Sequence, residues 1–448
     1  MSSSLRWPKR VAKQFTKRLA RVMSITAAAV LVLGSTAGPS RATIESTLPA
    51  VTISREPVPR EYFGMHIHRL GSTTTWPVVS FGSWRLWDAG VAWPWLEPTH
   101  GDWRFEKLDA YVELAQDHGV DILLPLGLSP TWTLTRPDEP SGYQKGFAAP
   151  PRDLGQWREY VRTVATRYKG RIHNYELWNE PNLKQFYSGS VGEMVALARE
   201  AYSTLKQVDP TIVLVSPAPV NEPGLQWLDE YLASGGSQYL DVVGYHFYEI
   251  SSTPESMLPL IGRVRDIMTK HGLEGRPLWN TETGWIGATS PGSVNPQTVG
   301  FGPEATVLTQ DAAAAYLARA LILGWTAGLG RFYWYSWDHL ATGLIDPDGT
   351  LRPAGRSYAE VERWLVGRDL ACPPPDREGT WVCRVSNAQG YQGIVAWNPQ
   401  VTVDLSVPND WRSPSVRAVT GPVTTVARGA RIAVGNSPVL VEPSGAPH

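Results

Sequence analysis

Two glutamates lie in sequence surroundings that suit proton transfer and nucleophilic attack. Glu180 belongs to Tyr-Glu-Leu-Trp-Asn-Glu-Pro-Asn (175–182), and Glu282 belongs to Pro-Leu-Trp-Asn-Thr-Glu-Thr-Gly-Trp (277–285). Each follows an apolar run, at the point where a strand would end in a loop, among tryptophan and amide side chains. Two carboxyl groups in such surroundings are candidates for the acid/base and the nucleophile of a glycosidase. A single glutamate in this position is more often an exposed or salt-bridged loop residue, but two in matching contexts favour the catalytic interpretation.

The chain around these glutamates alternates between short apolar runs and segments with helical periodicity. This alternation is typical of a parallel sheet with crossover helices. We predict eight strands, the number that closes a (β/α)8 barrel, at residues 62–68, 83–88, 121–126, 174–178, 212–216, 242–246, 277–281 and 331–336. We predict helices at 105–115, 153–168, 191–207, 255–271 and 310–327. Barrel enzymes build their sites at the carboxyl ends of strands, where Glu180 and Glu282 would follow strands four and seven.

Beyond Trp364 the pattern changes to short alternating runs separated by turns. Runs at 381–385, 393–397, 401–407 and 438–442 predict a small β-sandwich. The two cysteines of the chain, Cys372 and Cys383, both fall here. We expect them to form one structural disulfide in an exported protein, because no CxxC motif and no zinc-ligand spacing is present.

The motifs of the chain, taken in order, are similar to those of the clan A glycoside hydrolases. Asn179-Glu180-Pro181 matches the clan's acid/base motif after strand four, and Thr281-Glu282 matches the nucleophile after strand seven. The segments 245–248 and 333–334 occur in the order expected for the clan and strengthen this likeness. The following segments resemble family 39 and its bacterial polysaccharide-hydrolase relatives, in a likeness that spans roughly residues 60 to 365: 101–105, 108–109, 125–132 and 176–183.

The resemblance implies a role for each glutamate. Glu180 would protonate the leaving glycosidic oxygen and later deprotonate water, and Glu282 would attack the anomeric carbon. Carboxyl groups about 5–5.5 Å apart, as in this clan, give double displacement with retention of configuration. Glu180 then needs a raised pKa until the glycosyl-enzyme intermediate forms.

The resemblance also assigns supporting residues. Asn179 matches the clan position that binds the sugar 2-hydroxyl, and Arg85 matches the arginine beside the nucleophile. Either His246 or Tyr248 ends strand six, where the clan has a tyrosine that donates to the nucleophile; Tyr248 is preferred. Trp334 aligns with the tryptophan under the sugar, with Trp337 as a rival. Structural roles stay open: Arg85 as an ion-pair partner, and Tyr248 or Trp334 packed beneath a loop.

Further aromatic and histidine side chains are candidates for lining the cleft. His66 and His68 on the first strand would lie near the barrel mouth, where a structural role is as consistent with the sequence as substrate contact. We include His68 and Trp132 among the candidate substrate-binding residues. The tryptophan group is expected to divide between core and cleft: Trp76, Trp84, Trp87, Trp93, Trp95 and Trp132. The Gly-, Ser- and Pro-rich segment 286–304 should form a mobile loop over the site.

The first 42 residues have the features of a secretory signal. A basic stretch precedes the apolar run 25–33 and a Ser-Arg-Ala site at 40–42, and the run is too short to span a bilayer. A membrane anchor that is retained is the alternative. Removing the eight basic residues of this leader from the 41 of the chain leaves 33 against 42 acidic residues, a net charge of −9. This balance gives no electrostatic case for nucleic acid or anionic membrane partners.

Together these observations predict a signal peptide (1–42), a barrel (43–365) and a C-terminal β-sandwich (366–448) that residues 43–58 could join. The expected function is retaining hydrolysis of an extracellular or cell-envelope polysaccharide or oligosaccharide, without metal or cofactor. A carbohydrate-binding protein without activity and a transglycosylase remain alternatives. No motif specifies the sugar, its anomeric configuration, endo or exo action, or the oligomeric state.

Overall fold

The computed structural model describes residues 56–288 and 301–444. The predicted signal peptide and most of the segment 43–58 lie outside these ranges. Among the described residues, no helix combines the length and the apolar character needed to cross a lipid bilayer.

Eight parallel strands form the predicted barrel. Their order in the sheet is β5-β4-β3-β2-β1-β10-β7-β6, and a bridge between Val215 and Val242 closes the gap between β5 and β6. The barrel strands are β1 (Phe63–His66), β2 (Ser83–Arg85), β3 (Asp121–Leu126), β4 (Asn174–Leu177), β5 (Val213–Val215), β6 (Val243–Tyr245), β7 (Leu278–Thr283) and β10 (Leu329–Trp334). All eight predicted strands are present, so the (β/α)8 fold is confirmed.

Helices cover the outside of the barrel. They are α1 (Trp93–Leu96), α2 (Glu106–Asp117), α3 (Leu154–Arg167), α4 (Val191–Val208), α5 (Asn221–Ala233), α6 (Met257–Lys270), α7 (Gln310–Thr326) and α8 (Pro353–Leu365). The short helix α1 and the helices α5 and α8 were not predicted. Sequence signals fix several ends: Ser190 and Glu193 form a capping box at the start of α4, and Gly119, with φ 60°, follows the end of α2.

The barrel interior is filled in layers. Near the amino ends of the strands, Asp121 accepts hydrogen bonds from Asn174 and Arg331, and the Arg331 guanidinium lies over the Trp279 ring. An apolar layer follows, made of Leu123, Val215, Val242, Trp279 and Tyr333. The polar residues of the candidate site lie beyond it, at the carboxyl ends. The interior is therefore a packed core that supports the site from below.

The C-terminal segment forms a two-sheet β-domain. One sheet has the order β11-β12-β13-β18-β15-β16, and β14 pairs with β17. The strands are β11 (Asp369–Ala371), β12 (Trp381–Ser386), β13 (Gln392–Trp397), β14 (Val403–Ser406), β15 (Ser415–Ala418), β16 (Val423–Thr425), β17 (Arg431–Val434) and β18 (Val439–Glu442). The four predicted runs correspond to β12, β13, β14 and β18; the others are too short or too polar to give an alternating pattern. The predicted disulfide joins Cys372 to Cys383.

The β-domain packs directly on the barrel. Leu370, Trp381 and Trp397 belong to the same buried apolar cluster as the barrel helices. The Trp397 indole donates to Glu255 at 3.1 Å, in the connection between β6 and α6. Val58 pairs with the chain at Val366–Arg368, so the chain just before the barrel also meets the start of the β-domain.

Candidate active site

Glu180 lies in a strained turn at the end of β4. Trp178 and Glu180 both have left-handed backbones, with φ 58° and 43°, a conformation that non-glycine residues adopt at a cost. The turn is held because Trp178 N–H donates to Leu126 O at 2.7 Å and Glu180 N–H donates to Ala218 O at 3.0 Å. These bonds to both neighbouring strands fix the buried Glu180 side chain at the barrel mouth.

Arg85, at the end of β2, connects three side chains of the site. It is fully buried, and its Nη1 donates to Glu282 Oε2 at 2.9 Å, its Nε to Glu176 Oε2 at 2.5 Å, and its Nη2 to Asn179 Oδ1 at 2.8 Å. Burying such a charge is costly, and the two carboxylates offset that cost here.

The contact with Arg85 also orients Asn179. A guanidinium can only donate, so the Asn179 atom that faces it must be the amide oxygen. The amide NH2 of Asn179 is then left to donate elsewhere. This is the group that a sugar 2-hydroxyl would meet in the role predicted for Asn179.

Tyr248 and His246 contact different glutamates. The Tyr248 hydroxyl donates to Glu282 Oε1 at 2.9 Å, whereas His246 Nδ1 lies 2.9 Å from Glu180 Oε1 and 4.0 Å from Glu282 Oε1. Burial raises the pKa of Tyr248, so that its hydroxyl keeps its proton. Burial, assisted by Arg85, lowers the pKa of His246 well below its usual value and keeps the imidazole neutral. Both residues predicted at the end of strand six therefore reach the site.

The two carboxyl groups lie close to one another. An oxygen of Glu180, an oxygen of Glu282 and a nitrogen of His246 all lie within 4.8 Å of one another. This closeness agrees with the roughly 5–5.5 Å between the carboxyl groups of a retaining pair.

The electrostatic surroundings separate the two pKa values. Burial, reinforced by the charge of Glu282, raises the pKa of Glu180 well above its usual range. Burial also raises the pKa of Glu282, to about 7, against the opposing effects of Arg85 and Tyr248. Arg85 and Tyr248 both contact Glu282 directly, so Glu282 loses its proton first and Glu180 is the carboxyl that retains one.

The same three side chains could bracket a cation, since Glu180, His246 and Glu282 each offer one ligand atom. Their atoms are already engaged within the site. Arg85 supplies the positive charge beside Glu282, and His246 Nδ1 faces Glu180. The arrangement therefore fits a carboxylate pair neutralised by arginine better than a metal centre.

Two predicted aromatic contacts lie in the core instead of the cleft. Trp334 and Trp337 are each 2% exposed. The Trp334 indole donates to Thr342 O at 3.0 Å and stacks on Trp285, so neither tryptophan offers a face to a sugar. The half-buried residue between them, Tyr335, lies toward the site, and its hydroxyl donates to Asp88 Oδ2 at 2.8 Å.

Trp132 and His68 have surroundings of different kinds. Trp132 is half-buried, and its indole donates to Glu97 O at 2.9 Å; among the residues described, no contact joins it to Glu180 or Glu282. The His68 ring lies 4.8 Å from the Tyr335 ring. Its buried Nε2 has no hydrogen-bond partner within the described part of the chain, so His68 remains a candidate for contact with substrate.

Glu176 and Asp88 were not predicted as site residues. Glu176 lies two residues before Trp178 on β4, and the alternation of a strand would have indicated that it faces the interior with Asn174. Asp88 follows β2 in a left-handed conformation, with φ 57°. No sequence pattern predicts that conformation, or the bond that Asp88 accepts from Tyr143.

The segment after Glu282 is more ordered at its ends than a mobile loop would be. β8 (Ile286–Gly287) pairs in parallel with β9 (Val307–Leu308), and Thr306 N–H donates to Ile250 O at 2.9 Å. The Phe301 ring lies 6.1 Å from the Tyr248 ring. Residues 289–300 of the predicted loop lie outside the described residues.

The fold and the carboxyl pair are those expected of a clan A glycoside hydrolase. The model of glycosyl hydrolases family 39 matches residues 98–298. The chain is thus family 39-like, as the motifs predicted.

Curated relatives agree with this assignment. A beta-xylosidase of Caldicellulosiruptor saccharolyticus is 28% identical over 198 residues, which cover 39% of this chain and 40% of that protein. A beta-xylosidase of Geobacillus stearothermophilus is 25% identical over 250 residues, 50% of this chain and 46% of that protein. The matches thus span less than half the length of these relatives.

Solved structures share the whole fold. A family 39 glycoside hydrolase from Bacteroides cellulosilyticus WH2 has a TM-score of 0.68 at 18% identity, covering 86% of this chain and 81% of the other. A monomeric beta-xylosidase from Caulobacter crescentus CB15 has a TM-score of 0.65 at 18% identity, covering 88% and 98%. At such identities the likeness concerns the architecture, a barrel with a β-domain.

Proposed function

We propose that the protein is a retaining glycoside hydrolase that cleaves β-xyloside-type bonds of an extracellular oligosaccharide or polysaccharide. The observation that carries the proposal is the close pair Glu180 and Glu282, of which Glu282 receives the hydrogen bonds of Arg85 and Tyr248. The sugar class is taken from the relatives named beta-xylosidase.

The geometry supports a double displacement. Glu282, ionised beside Arg85, attacks the anomeric carbon while Glu180 protonates the departing oxygen. The charge of Glu282 is then consumed in the glycosyl-enzyme ester, so the repulsion that raises the pKa of Glu180 falls and Glu180 can take a proton from water. The Asn179 amide donates to the 2-hydroxyl as positive charge develops on the ring.

Stereochemistry and azide rescue test this mechanism. Proton NMR of the first product from an aryl β-xyloside should show the β-anomer. Glu180→Ala with azide should yield the β-glycosyl azide, because the covalent intermediate still forms. Glu282→Ala with azide should yield the α-azide, because azide replaces the nucleophile. An α-anomeric product from the wild type, or normal turnover by Glu282→Gln, would refute the assignment.

Product analysis separates the alternatives from hydrolysis. Mass spectrometry of wild type, Glu180→Gln and Glu282→Gln on plant and bacterial polysaccharides should show fragments from wild type alone. Products heavier than the starting oligosaccharide would indicate transglycosylation. Retention on one polymer without fragments from any of the three would indicate a binding protein.

Export is part of the proposal and rests on the sequence of residues 1–42. Expression of the full chain in a bacterial host should release a protein that begins at Thr43. N-terminal sequencing checks this, and an intact leader on a membrane-bound product would favour an anchor.

A further inference from the structure

A third carboxylate, Asp88, lies at the barrel mouth and has no part in the mechanism above. It comes three residues after Arg85, and two tyrosines hold it from different loops. Tyr143, from the connection after β3, donates to Oδ1 at 2.5 Å, and Tyr335, directly after β10, donates to Oδ2 at 2.8 Å. The carboxylate is thus fixed in orientation by one donor on each oxygen.

Asp88 keeps acceptor capacity in spite of these bonds. An ionised carboxylate offers about four lone-pair positions, and the two hydroxyls use only two of them. Asp88 is exposed, so the other positions are open. A carboxylate held in place by two tyrosine donors yet open to the cleft is a preorganised acceptor for hydroxyl groups, because it is already ordered before a ligand binds.

The position of Asp88 is close to the catalytic pair. Its negative charge contributes to the raised pKa values of both Glu180 and Glu282. The Tyr335 ring that contacts Asp88 also packs 4.8 Å from His68, whose Nε2 has no partner among the described residues. Asp88 and His68, which both have hydrogen-bonding capacity left, thus flank the ring of Tyr335 beside the two glutamates. This arrangement suits the binding of a sugar.

We propose that Asp88 is a specificity-determining residue that accepts hydrogen bonds from hydroxyls of the sugar beside the cleaved bond and disfavours sugars bearing a carboxylate. The inference rests on the proposed function and deepens it by assigning a neutral substrate. The cation Arg85 binds Glu282 and Glu176, and Glu176, Glu282 and Asp88 are acidic side chains of the site. A uronate would therefore add a negative charge to a site that already has an acidic balance.

Kinetics on three aryl glycosides with the same leaving group test the role of Asp88. Wild type should cleave the β-xyloside or β-glucoside at least 100-fold more efficiently, in kcat/KM, than the β-glucuronide. Asp88→Asn keeps the shape of the side chain and should lower kcat/KM on the neutral glycosides by about 10- to 100-fold. This is the effect expected from losing a hydrogen bond to a charged group. The same substitution should lower kcat/KM on the glucuronide by a smaller factor, so the preference for neutral glycosides over the glucuronide should decrease. Asp410→Asn, an exposed carboxylate of the β-domain, is the matched control and should change neither value.

The tyrosines supply a second test. Tyr335→Phe keeps the ring and removes the bond to Asp88 Oδ2. Introduced into wild type, Tyr335→Phe should weaken the preference for neutral glycosides over the glucuronide. Introduced into Asp88→Asn, it should change kcat/KM by less than a further twofold. Removing the Asp88 charge should also move both limbs of the pH profile to lower pH, a result that a purely structural role would not give.

The outcomes separate this inference from the proposed function. If wild type is active but Asp88→Asn keeps kcat/KM within threefold of wild type, the inference is overturned and the proposed function stands. The same holds if wild type prefers the glucuronide. If wild type cleaves none of the three glycosides, calorimetric titration with xylobiose and with glucuronic acid decides it. Xylobiose binding that weakens at least tenfold in Asp88→Asn supports it, whereas no xylobiose binding or unchanged binding overturns it.

Discussion

The chemistry of the site depends on an unequal distribution of contacts between two similar side chains. Glu282 receives hydrogen bonds from Arg85 and Tyr248, and Glu180 faces the neutral His246. Burial acts on both, so their difference comes from these partners. A cation and a phenol stabilise the ionised form of Glu282, whereas Glu180 has neither. The proposal that Glu180 is the acid and Glu282 the nucleophile rests on this asymmetry.

The cost of burying Glu180 should be measurable as stability. Its folded pKa lies well above the ordinary value of 4.5, so the folded state is favoured below pH 4.5 and loses stability as the pH rises through the folded pKa. Glu180→Gln cannot ionise and avoids this loss. Its unfolding midpoint should exceed that of wild type by at least about 2 °C at pH 8 and match it at pH 4. Calorimetry at both pH values checks this; an equal difference at both would show that charge is not the cause.

Glu176 should set the acidic limb of the pH–rate profile through Arg85. Its charge raises the pKa of Glu282, and its bond occupies the Arg85 Nε. In Glu176→Gln the positive charge of Arg85 is no longer shared with a second carboxylate, so it acts more strongly on Glu282. Glu282 should then ionise at lower pH and become a weaker nucleophile. We expect the acidic limb of kcat/KM to shift down by about one pH unit, or 1.4 kcal/mol, with reduced kcat. A lower kcat with an unmoved limb would indicate a structural role only.

The sequence was sufficient to predict that the candidate site residues on or directly after strands lie close together. Glu180, Glu282, Asn179, Arg85 and Tyr248 converge because the carboxyl ends of parallel strands meet at one edge of the barrel. The burial of Trp334, which is 2% exposed, contradicts its choice as the sugar platform. Arg331 and Tyr333 face the barrel interior. Regular alternation along β10 therefore places Trp334 outward, in the core, and Tyr335 toward the site.

At the scale of elements, strands were easier to predict than two of the helices. The predicted strands differ from the observed ones by only a few residues at the ends, because buried parallel strands are apolar throughout. The helix α5 begins Asn-Glu-Pro-Gly and α8 begins Pro-Ala-Gly. Proline and glycine usually signal turns, but proline is also favoured in the first helical turn, and that is where both prolines lie.

The disulfide should stabilise the edge of the larger β-sheet. Cys372 follows the edge strand β11, and Cys383 lies within its partner β12. Closing so short a loop should add about 2–3 kcal/mol to the free energy of unfolding. Replacing both cysteines with serine should lower that free energy by this amount in urea titrations and leave kcat/KM unchanged, since neither contacts the site. A large fall in activity at full folding would mean that the β-domain influences the site.

At the scale of the molecule, the barrel and the β-domain share one apolar cluster. Residues of β12 and β13 belong to it together with those of α7 and α8. Trp397 donates to Glu255, which also contacts the buried Arg319 of α7. Glu255 lies in the same connection as Tyr248, the donor to Glu282. Removing the β-domain would thus expose core surface and release a segment that supports the nucleophile.

Because the two parts share a core, we expect them to unfold together. Scanning calorimetry of residues 43–448 should show one transition whose calorimetric and van't Hoff enthalpies agree. A chain ending at residue 365 should be less stable or aggregate, since it exposes the apolar surface that Trp381 and Trp397 cover. Trp397→Phe, which keeps the ring packing and removes the bond to Glu255, is the mild control and should lower the midpoint by only a few degrees, about 2–4 °C per kcal/mol. Two separate transitions, or a soluble barrel fragment with the wild-type midpoint, would show that the shared cluster contributes little.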